Sequence, residues 1–385
     1  MHGIFEENHF NLRQKIAEYA KENILKIRNQ IEDNESIPQE IYQYLANSGW
    51  YGITIPEKYK GMEAGHLARF IAIEEISRIS GAVGGCLQSA ILGTAMVQNH
   101  GSAEQKDYWL PRFAQGKDII SICITEPNSG SHILGMNTTA RREKDEYVLD
   151  GVKCWIANSH VASVHGVIAK TNNSSGKLSA FLVEADRPGF RTGQANDNTG
   201  LRGLNLGEVI FENCRIPAIN RVGDEGDGLK IAHSSITHYG KPNLTAVALG
   251  IHSAIMEDTI AYAKNRKIYG KSLANVESVR LKIASIYKNL HLARQSAYCA
   301  MKLLDANASA DESIILAKLV GTELAFESAK AALDIFAARG GSRSIPIERY
   351  MRDLLMLFPP AGTSDVQLKR LAEIALKEYR ESTAA

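Results

Sequence analysis

The stretch IISICITEPNSGS (residues 119–131) decides the interpretation of the chain, because the pattern of apolar residues changes there. From this stretch to about Val222, short runs rich in β-branched residues alternate with turn residues, which is typical of strands. Asp150-Gly151 lies between two such runs and predicts a tight hairpin. The predicted strands cover residues 119–124, 147–149, 152–156, 167–170, 180–184 and 209–211.

Helical periodicity occupies the chain on both sides of this β region. Upstream, apolar spacing predicts a short helix capped by Ser102 and longer helices over residues 11–31, 38–49, 64–79 and 83–99. Downstream of the glycine-rich turn at residues 223–228, it predicts long helices over residues 244–264, 276–305, 311–338 and 364–379, enough for an antiparallel bundle. We therefore predict an N-terminal helical domain (1–118), a middle β domain (119–225) and a C-terminal helical bundle (226–385).

Composition excludes several classes of protein. The 385 residues exceed the length of a usual single core, and 44 Lys+Arg against 43 Asp+Glu leave a net charge of +1, so we expect no nucleic-acid partner. The five cysteines are far apart and form no Cys-x-x-Cys pair, which predicts reduced, mostly buried thiols and no metal site. The polar N-terminus lacks a secretory pattern and no apolar run approaches 18 residues, so we expect a cytoplasmic protein without a membrane partner.

Short motifs carry a resemblance that covers essentially the whole chain. They are Ile124-Thr125-Glu126-Pro127 with Ser129-Gly130-Ser131, Asp150-Gly151 with Lys153-Cys154-Trp155-Ile156, Phe181-Leu-Val-Glu184 with Pro188-Gly189, Arg266-Lys267-Ile268-Tyr269-Gly270-Lys271, Met351-Arg352-Asp353, and Gly362-Thr363-Ser364. In this order, the chain resembles the acyl-CoA dehydrogenase superfamily. The resemblance implies an α+β, mainly helical fold with a helical domain, a β barrel and a four-helix bundle, FAD as the cofactor, and a homodimer or homotetramer.

The resemblance also implies which residues contact FAD. Ile124 and Thr125 lie on the strand that presents backbone and a hydroxyl to the flavin ring, Ser131 supplies a hydroxyl to a phosphate, and Trp155 stacks on the flavin. Arg266 and Tyr269 are similar to residues that reach the FAD of a neighbouring subunit, where a guanidinium suits a pyrophosphate. The remaining implied contacts are Ala157, Gly340 and Thr363.

The same residues also suit ordinary structural roles. A tryptophan in a strand is commonly part of a core, and Thr125 and Ser131 are common turn or cap residues. Arg266 follows a long predicted helix and could simply complement its dipole.

The catalytic base that the family uses is missing from this sequence. Removing a proton from carbon needs a positioned carboxylate in a water-poor pocket, and the family carries a Glu directly before a Gly-Thr or Gly-Ser pair. Here Ala361 precedes Gly362-Thr363. A smaller group places the Glu on the first long helix of the bundle, before a basic residue that aligns with Lys241, and that position is Gly240.

Two further departures lie in the implied cofactor site. The Trp-Ile-Thr segment that offers a hydroxyl to flavin N5 is Trp155-Ile156-Ala157, and the Gly-Gly-x-Gly loop near the phosphates is Ala337-Ala338-Arg339-Gly340. Three residues are candidates for a replacement base, although each also suits a structural role. Tyr239 and His238 lie beside the Gly240 position, and Asp365 follows Ala361 by one helical turn.

Three functions remain open from the sequence. The first is an FAD-dependent oxidoreductase acting on a short acyl or hydroxyacyl thioester of CoA or acyl carrier protein, with an unknown electron acceptor, because Tyr239-Gly240-Lys241 resembles the branch found in polyketide and peptide antibiotic pathways. The second is a monooxygenase that uses reduced flavin and oxygen. The third is a non-catalytic member of the superfamily, which the intact Thr125, Ser131, Trp155 and Arg266 disfavour.

Overall fold

The helices of the N-terminal region follow the apolar periodicity closely. The computed structural model describes residues 4–171 and 177–384. The helices are α1 (Glu7–Asn23), α2 (Arg28–Asn34), α3 (Gln39–Asn47), α4 (Gly65–Ile79), α5 (Gly81–His100) and α6 (Ala103–Ala114). Ser102 caps α6 in a reciprocal capping box with Gln105. The single helix predicted over residues 11–31 is wrong: the chain breaks after Asn23, where Asn23, Ile24 and Ile27 are poor helix formers.

Within the described residues, eight strands form the sheet of the middle region. They are β1 (Ile120–Cys123), β2 (Thr139–Glu143), β3 (Glu146–Ala157), β4 (Val164–Thr171), β5 (Leu178–Glu184), β6 (Phe190–Ala195), β7 (Leu206–Pro217) and β8 (Arg221–Val222). The order is β6-β7-β3-β2-β4-β5-β8, and β1 pairs with β4 in parallel. The predicted strands are present, whereas β2, β6 and β8 were not predicted from the sequence.

The hairpin predicted at Asp150-Gly151 is wrong. Strand β3 continues through Gly151, and its register against β7 shifts between Leu149 and Gly151 as in a β-bulge. The real turn joins β2 to β3 at residues 144–145, with Lys144 at a φ of 55°. Pairing with β7 along the whole of β3 therefore overrides the local turn preference of Asp-Gly.

The C-terminal region consists of long helices. Helix α7 (Gly228–Ser235), a π-helical turn (Ile236–Gly240) and α8 (Lys241–Asn265) run on as one helix. A two-stranded hairpin, β9 (Lys267–Ile268) and β10 (Lys271–Ser272), precedes α9 (Glu277–Asp305), α10 (Asp311–Phe336), α11 (Ile347–Leu355) and α12 (Ser364–Ala384). The helix over Gly228–Asn265 is apolar enough by composition to cross a membrane, but 78% of its most apolar window is buried inside the protein, as expected of a core helix.

One hydrophobic core joins the two helical regions. Helices α4 and α5 pack against α8, and residues from α4, α5, α8, α9 and α10 belong to the same cluster of buried side chains. Phe181 and Phe211 belong to a separate cluster within the sheet. The π-helical turn lies at the junction of the helical regions, and turns of this kind are frequent at functional sites. The predicted mainly helical α+β fold is confirmed.

Candidate functional site

The segment directly after β1, which contains Thr125, lies beside the C-terminal part of β3. The backbone N–H of Cys154 donates to the Thr125 carbonyl at 2.9 Å. The next residue, Trp155, has a φ of 58° and a side chain that is 58% exposed. A left-handed conformation is costly for a bulky residue, and strain of this kind clusters at functional sites. The structure therefore places an exposed indole next to Thr125. Such an indole is available to stack on a planar ligand.

A buried ion pair fixes these two segments to each other. Lys153 donates through Nζ to a Glu126 carboxylate oxygen at 2.8 Å and to the Ile124 carbonyl at 3.1 Å. Burial opposes ionisation of Glu126, but the backbone N–H of Asn137 and the Lys153 ammonium outweigh it and lower the pKa of this carboxyl. Sequence analysis did not single out this pair. Two features of the sequence could have indicated the pair: a lysine lies two residues before Trp155, and an acid lies directly after Thr125.

The other predicted cofactor residues differ in how far they are exposed. Ser131 is exposed on the loop between β1 and β2, and Ala157 is partly buried at the end of β3. Asn158, the residue after Ala157, donates through Nδ2 to the Cys86 carbonyl at 3.0 Å, which ties the end of β3 to α5. Gly340 is buried in the turn after α10, and Thr363 is partly buried directly before α12.

Arg266 and Tyr269 project away from the chain. Both side chains are exposed, Tyr269 by 99% with a φ of 47°. Within residues 4–171 and 177–384, the Arg266 guanidinium has no hydrogen-bond or ion-pair partner. An exposed guanidinium and phenol at one short hairpin are available for contact with a group outside this subunit, and their contact with FAD stays a prediction.

These observations fit the residues to FAD. An exposed, strained indole lies beside the segment that carries the Thr125 hydroxyl and can cover a flavin ring. Ser131 and Arg266 are exposed and polar, as contacts to phosphates require. The altered glycine loop keeps a glycine conformation, because Ala337 has a φ of 52° and a ψ of −137°.

The two positions that carry the family's base converge in space. A Cβ on Gly240 would lie 3.8 Å from the Cβ of Ala361, and its other nearest atoms, in Leu92 and Ile236, are also 3.8 Å away. Ala361, Leu92 and Ile236 are only partly buried. We call the space between Gly240 and Ala361 the base slot, and the three residues nearest to a Cβ on Gly240, namely Ala361, Ile236 and Leu92, carry no carboxylate.

Two buried side chains hold the loop that ends in Ala361. Lys318 donates through Nζ to the carbonyls of Phe358 at 3.0 Å and Gly362 at 2.6 Å. Gln367 donates through Nε2 to the carbonyls of Ala361 and Gly362, both at 3.1 Å. Ala361 itself has a φ of 58°. The loop is therefore held in place without a carboxylate.

The three candidate replacement bases are not brought together at the base slot. Tyr239 is buried, with its ring 5.3 Å from that of His66. His238 directs its ring toward Asp311, with 3.3 Å between Nε2 and Oδ1. Asp365 is exposed in the first turn of α12, contrary to the expectation that it faces the slot. Asp365 faces outward because the next two residues, Val366 and Gln367, are the ones that pack against the loop at Gly362.

Two buried cations that sequence analysis did not assign adjoin the Tyr239-Gly240 segment. Lys241, the residue after Gly240, is 2% exposed, and its Nζ has no partner among the described residues. Burial, and to a smaller extent the charge of Arg370, lowers the pKa of Lys241 to about 8. The second cation is Arg69 on α4, which packs against Tyr239. In the sequence, Arg69 is the one charged residue in the otherwise apolar run 67–73, and this could have indicated a buried cation.

The chain matches models of known domain families along most of its length. Models of the acyl-CoA dehydrogenase N-terminal, middle and C-terminal domains match residues 6–117, 121–214 and 226–376. The chain is 33% identical over 379 residues to the mitochondrial short-chain specific acyl-CoA dehydrogenase of Mus musculus, covering 97% of this chain and 91% of the relative.

Solved structures show the same fold. Butyryl-CoA dehydrogenase from Megasphaera elsdenii superposes with a TM-score of 0.94 at 27% identity, covering 97% of this chain and 99% of that one. The prolyl acyl carrier protein oxidase AnaB gives 0.90 at 26% identity, with 96% and 99% covered. The FAD complex of PigA gives 0.91 at 26% identity, with 96% and 98% covered. The chain thus belongs to the acyl-CoA dehydrogenase family, and its cofactor is FAD.

Proposed function

We propose that this protein is an FAD-dependent oxidoreductase that oxidises a short acyl or hydroxyacyl thioester, held on CoA or on an acyl carrier protein, without the family's glutamate. The observation that carries the proposal is the base slot. A Cβ on Gly240 would lie 3.8 Å from the Cβ of Ala361, and neither of these two expected positions for the glutamate carries a carboxylate. The residues expected to hold FAD are nevertheless present, which supports a working flavoprotein.

The missing base favours a hydroxyacyl substrate. Loss of a general base slows proton removal by about 10²–10⁴-fold, which is severe for a proton on carbon. Oxidation of a carbinol instead removes a hydride from carbon and a proton from oxygen, and a hydroxyl proton is far more acidic. When bound, FAD supplies the acceptor for the hydride. We assign acceptance of the hydroxyl proton to the neutral form of the Lys241 amine, which is buried and unpartnered and which, with a pKa of about 8, becomes the major form above that pH.

Two of the similar structures support a substrate bound to a carrier protein. AnaB is described as a prolyl acyl carrier protein oxidase, and PigA has been solved with FAD and proline. Both cover 96% of this chain. We extend the carrier to this protein as an alternative to CoA, and we infer at least a dimer from the outward-facing Arg266 and Tyr269.

The test is anaerobic flavin reduction. The purified holoprotein is mixed with short acyl and hydroxyacyl thioesters, each on CoA and on acyl carrier protein, and the visible flavin absorbance is followed. Bleaching by hydroxyacyl thioesters, and weaker or no bleaching by saturated acyl thioesters, is the expected result. An intact flavin that dithionite reduces but no thioester bleaches would contradict the proposal and favour the monooxygenase.

A further inference from the structure

Gln88 on α5 carries a buried amide oxygen without a partner. The residue is 7% exposed, and its Oε1 accepts no hydrogen bond from any described residue. Its backbone carbonyl accepts from Asn243 Nδ2 at 3.1 Å, which fixes Gln88 in the contact between α5 and α8. Leaving a buried acceptor unpaired costs free energy. A ligand that brings a donor to Oε1 therefore gains affinity.

Two separate paths place Gln88 one helical turn from the base slot. On α5, the Leu92 side chain is 3.8 Å from a Cβ on Gly240, and Gln88 precedes Leu92 by four residues, so both lie on one face of the helix. On the helix that runs into α8, Asn243 follows Gly240 by three residues, and its side chain donates to Gln88. Helical side chains lean toward the N-terminus, so the Gln88 amide lies beyond Leu92 as seen from the slot. One turn rises about 5.4 Å, a depth that a short acyl group spans.

The same face of α5 also borders the expected flavin edge. Ser89, the residue after Gln88, donates through Oγ to the Ala157 carbonyl at 3.5 Å. Ala157 occupies the position from which the family contacts flavin N5. An acyl group that reacts between the flavin and the base slot therefore runs along this part of α5, with its far end toward Gln88.

The charges beside the slot select a neutral donor. Lys241 directly follows Gly240, and Lys318 donates to the Gly362 carbonyl at 2.6 Å. Burial and the charge of Lys241 lower the pKa of Lys318 to about 8, so the two amines lie close enough for one charge to act on the other. These cations would repel an ammonium group on the substrate. A carboxylate offers only acceptors, which cannot pair with an amide oxygen, whereas a hydroxyl is neutral and donates.

We infer that Gln88 Oε1 accepts a hydrogen bond from a hydroxyl at the far end of the acyl group, so that the substrate is a short thioester with a hydroxyl beyond its reacting carbon. Gln88 is then a residue that determines specificity, and Asn243 is a positioning residue that holds the α5 backbone beside it. The inference rests on the proposed function for the thioester and the reacting carbon.

The experiment uses thioesters of pantetheine, the arm that CoA and acyl carrier protein share, in pairs of equal size. In the first pair, 4-hydroxycrotonyl- and trans-2-pentenoyl-pantetheine differ by a terminal hydroxyl in place of a methyl group. In the second pair, 4-methoxycrotonyl- and trans-2-hexenoyl-pantetheine differ by an ether oxygen, which accepts but does not donate. The trans double bond prevents ring closure by the hydroxyl and leaves no hydrogens for α,β-dehydrogenation.

Binding to the FAD-loaded protein is measured by anaerobic calorimetry. We expect the hydroxyl to improve affinity about five- to ten-fold over the methyl group, because it pairs the buried oxygen, and the ether to give no gain. Equal affinity within the first pair, no binding of either member, or an equal gain from the ether would each overturn the inference.

Variants connect the preference to Gln88. Gln88→Met keeps the length of the side chain without the amide, and we expect it to bind both members of the first pair equally. Gln88→Asn withdraws the amide by one methylene and should show a reduced preference. The matched control is Gln98→Met on the same helix, because Gln98 exchanges hydrogen bonds with Thr54 at 3.3 and 2.9 Å, and it should keep the full preference. A preference that persists in Gln88→Met would remove Gln88 from the substrate site.

Flavin bleaching by the thioesters of the proposed function separates the two claims. Bleaching by hydroxyacyl thioesters, with no preference for the terminal hydroxyl in the matched pairs, would overturn the role of Gln88 alone. A clear preference that depends on Gln88, with no bleaching by any thioester, would overturn the oxidoreductase proposal alone.

Discussion

The Cβ of Ala361 lies 3.8 Å from the position that a Cβ on Gly240 would occupy, although the two residues are on different elements of the bundle. Side chains at these two positions would therefore occupy the same space. The space is kept in shape by Lys318 and Gln367, which hold the carbonyls of the Ala361 loop. The loop is held in this conformation with alanine and glycine, and no acid, at the two positions.

Restoring the acid should restore carbon-proton abstraction. Ala361→Glu adds a carboxylate without new backbone strain, because Ala361 already has a Cβ at a φ of 58°. We expect flavin reduction by butyryl-CoA to become about 10²–10⁴-fold faster than in the wild type. Stopped-flow absorbance measures the rate. Ala361→Gln has the same shape without a base and should give no gain.

Placing an acid at both positions should not add a second gain. In the double variant Gly240→Glu/Ala361→Glu, two carboxylates share one partly buried space, and like charges raise the pKa of one of them. We expect the double variant to unfold at a lower Tm than Ala361→Glu and to react no faster. Independent, multiplicative gains would show that the two side chains do not meet.

Arg266 should contribute to retention of FAD. Its exposed guanidinium has no partner within the described chain, so we expect Arg266→Ala to lower the flavin-to-protein absorbance ratio several-fold after gel filtration. The matched control is Arg191→Ala on β6, because Arg191 forms an exposed ion pair with Glu212, and such pairs contribute little. Unchanged flavin content in Arg266→Ala would remove Arg266 from the cofactor site.

The Lys153–Glu126 pair should stabilise both the sheet and the flavin surface. Lys153→Met leaves the buried Glu126 carboxylate without its cation, and breaking a buried pair of this kind costs about 3–5 kcal/mol. We expect a lower free energy of unfolding in urea and a loss of bound FAD, because Lys153 also holds the Ile124 carbonyl. Lys153→Met/Glu126→Gln removes the stranded charge and should recover part of the stability. A double variant as unstable as the single one would contradict this account.

Much of the framework could be predicted from sequence because it depends on local periodicity. The long helices α8, α9, α10 and α12 and most strands follow directly from apolar spacing. The turn at Asp150-Gly151 could not be excluded, since its local preference is overridden by pairing between β3 and β7. The break after α1 likewise depends on a weak local preference, which periodicity does not report.

The site residues that sequence could propose are likewise those in local patterns. The motifs predict roles for Thr125, Trp155 and the two base positions, because each lies in a recognisable short pattern. Arg69, Lys241 and the Glu126–Lys153 pair were not assigned, because their importance lies in which partners surround them after folding. Whether a buried cation has an acid beside it is a property of tertiary contacts.

Ala337 offers a test of backbone strain in the altered glycine loop. Its φ of 52° and ψ of −137° belong to a region that glycine adopts without cost. We expect Ala337→Gly to raise the free energy of unfolding by about 1 kcal/mol. Ala338→Gly, at the next position of the same short helix, should lower it, because there glycine only adds freedom to the unfolded chain. Equal effects of the two substitutions would contradict the strain.

Lys241 should make the stability of the protein depend on pH in the alkaline range. Burial lowers its pKa from 10.5 to about 8 in the folded state. Below pH 8 the amine is charged in both the folded and unfolded states, and the full cost of burying the charge is present. Between about pH 8 and 10.5 the unfolded state binds more protons, so this contribution to stability rises with pH.

The measurement is the difference in free energy of unfolding between the wild type and Lys241→Met, because a difference cancels the titration of cysteines and tyrosines elsewhere. We expect Lys241→Met to be more stable at pH 7 and the advantage to shrink by about 1–3 kcal/mol as the pH approaches 10.5. Lys230→Met, which removes an exposed lysine on α7, should show no such change. A difference for Lys241→Met that stays constant with pH would mean that its amine keeps an ordinary pKa, and would remove the reason for assigning it the hydroxyl proton.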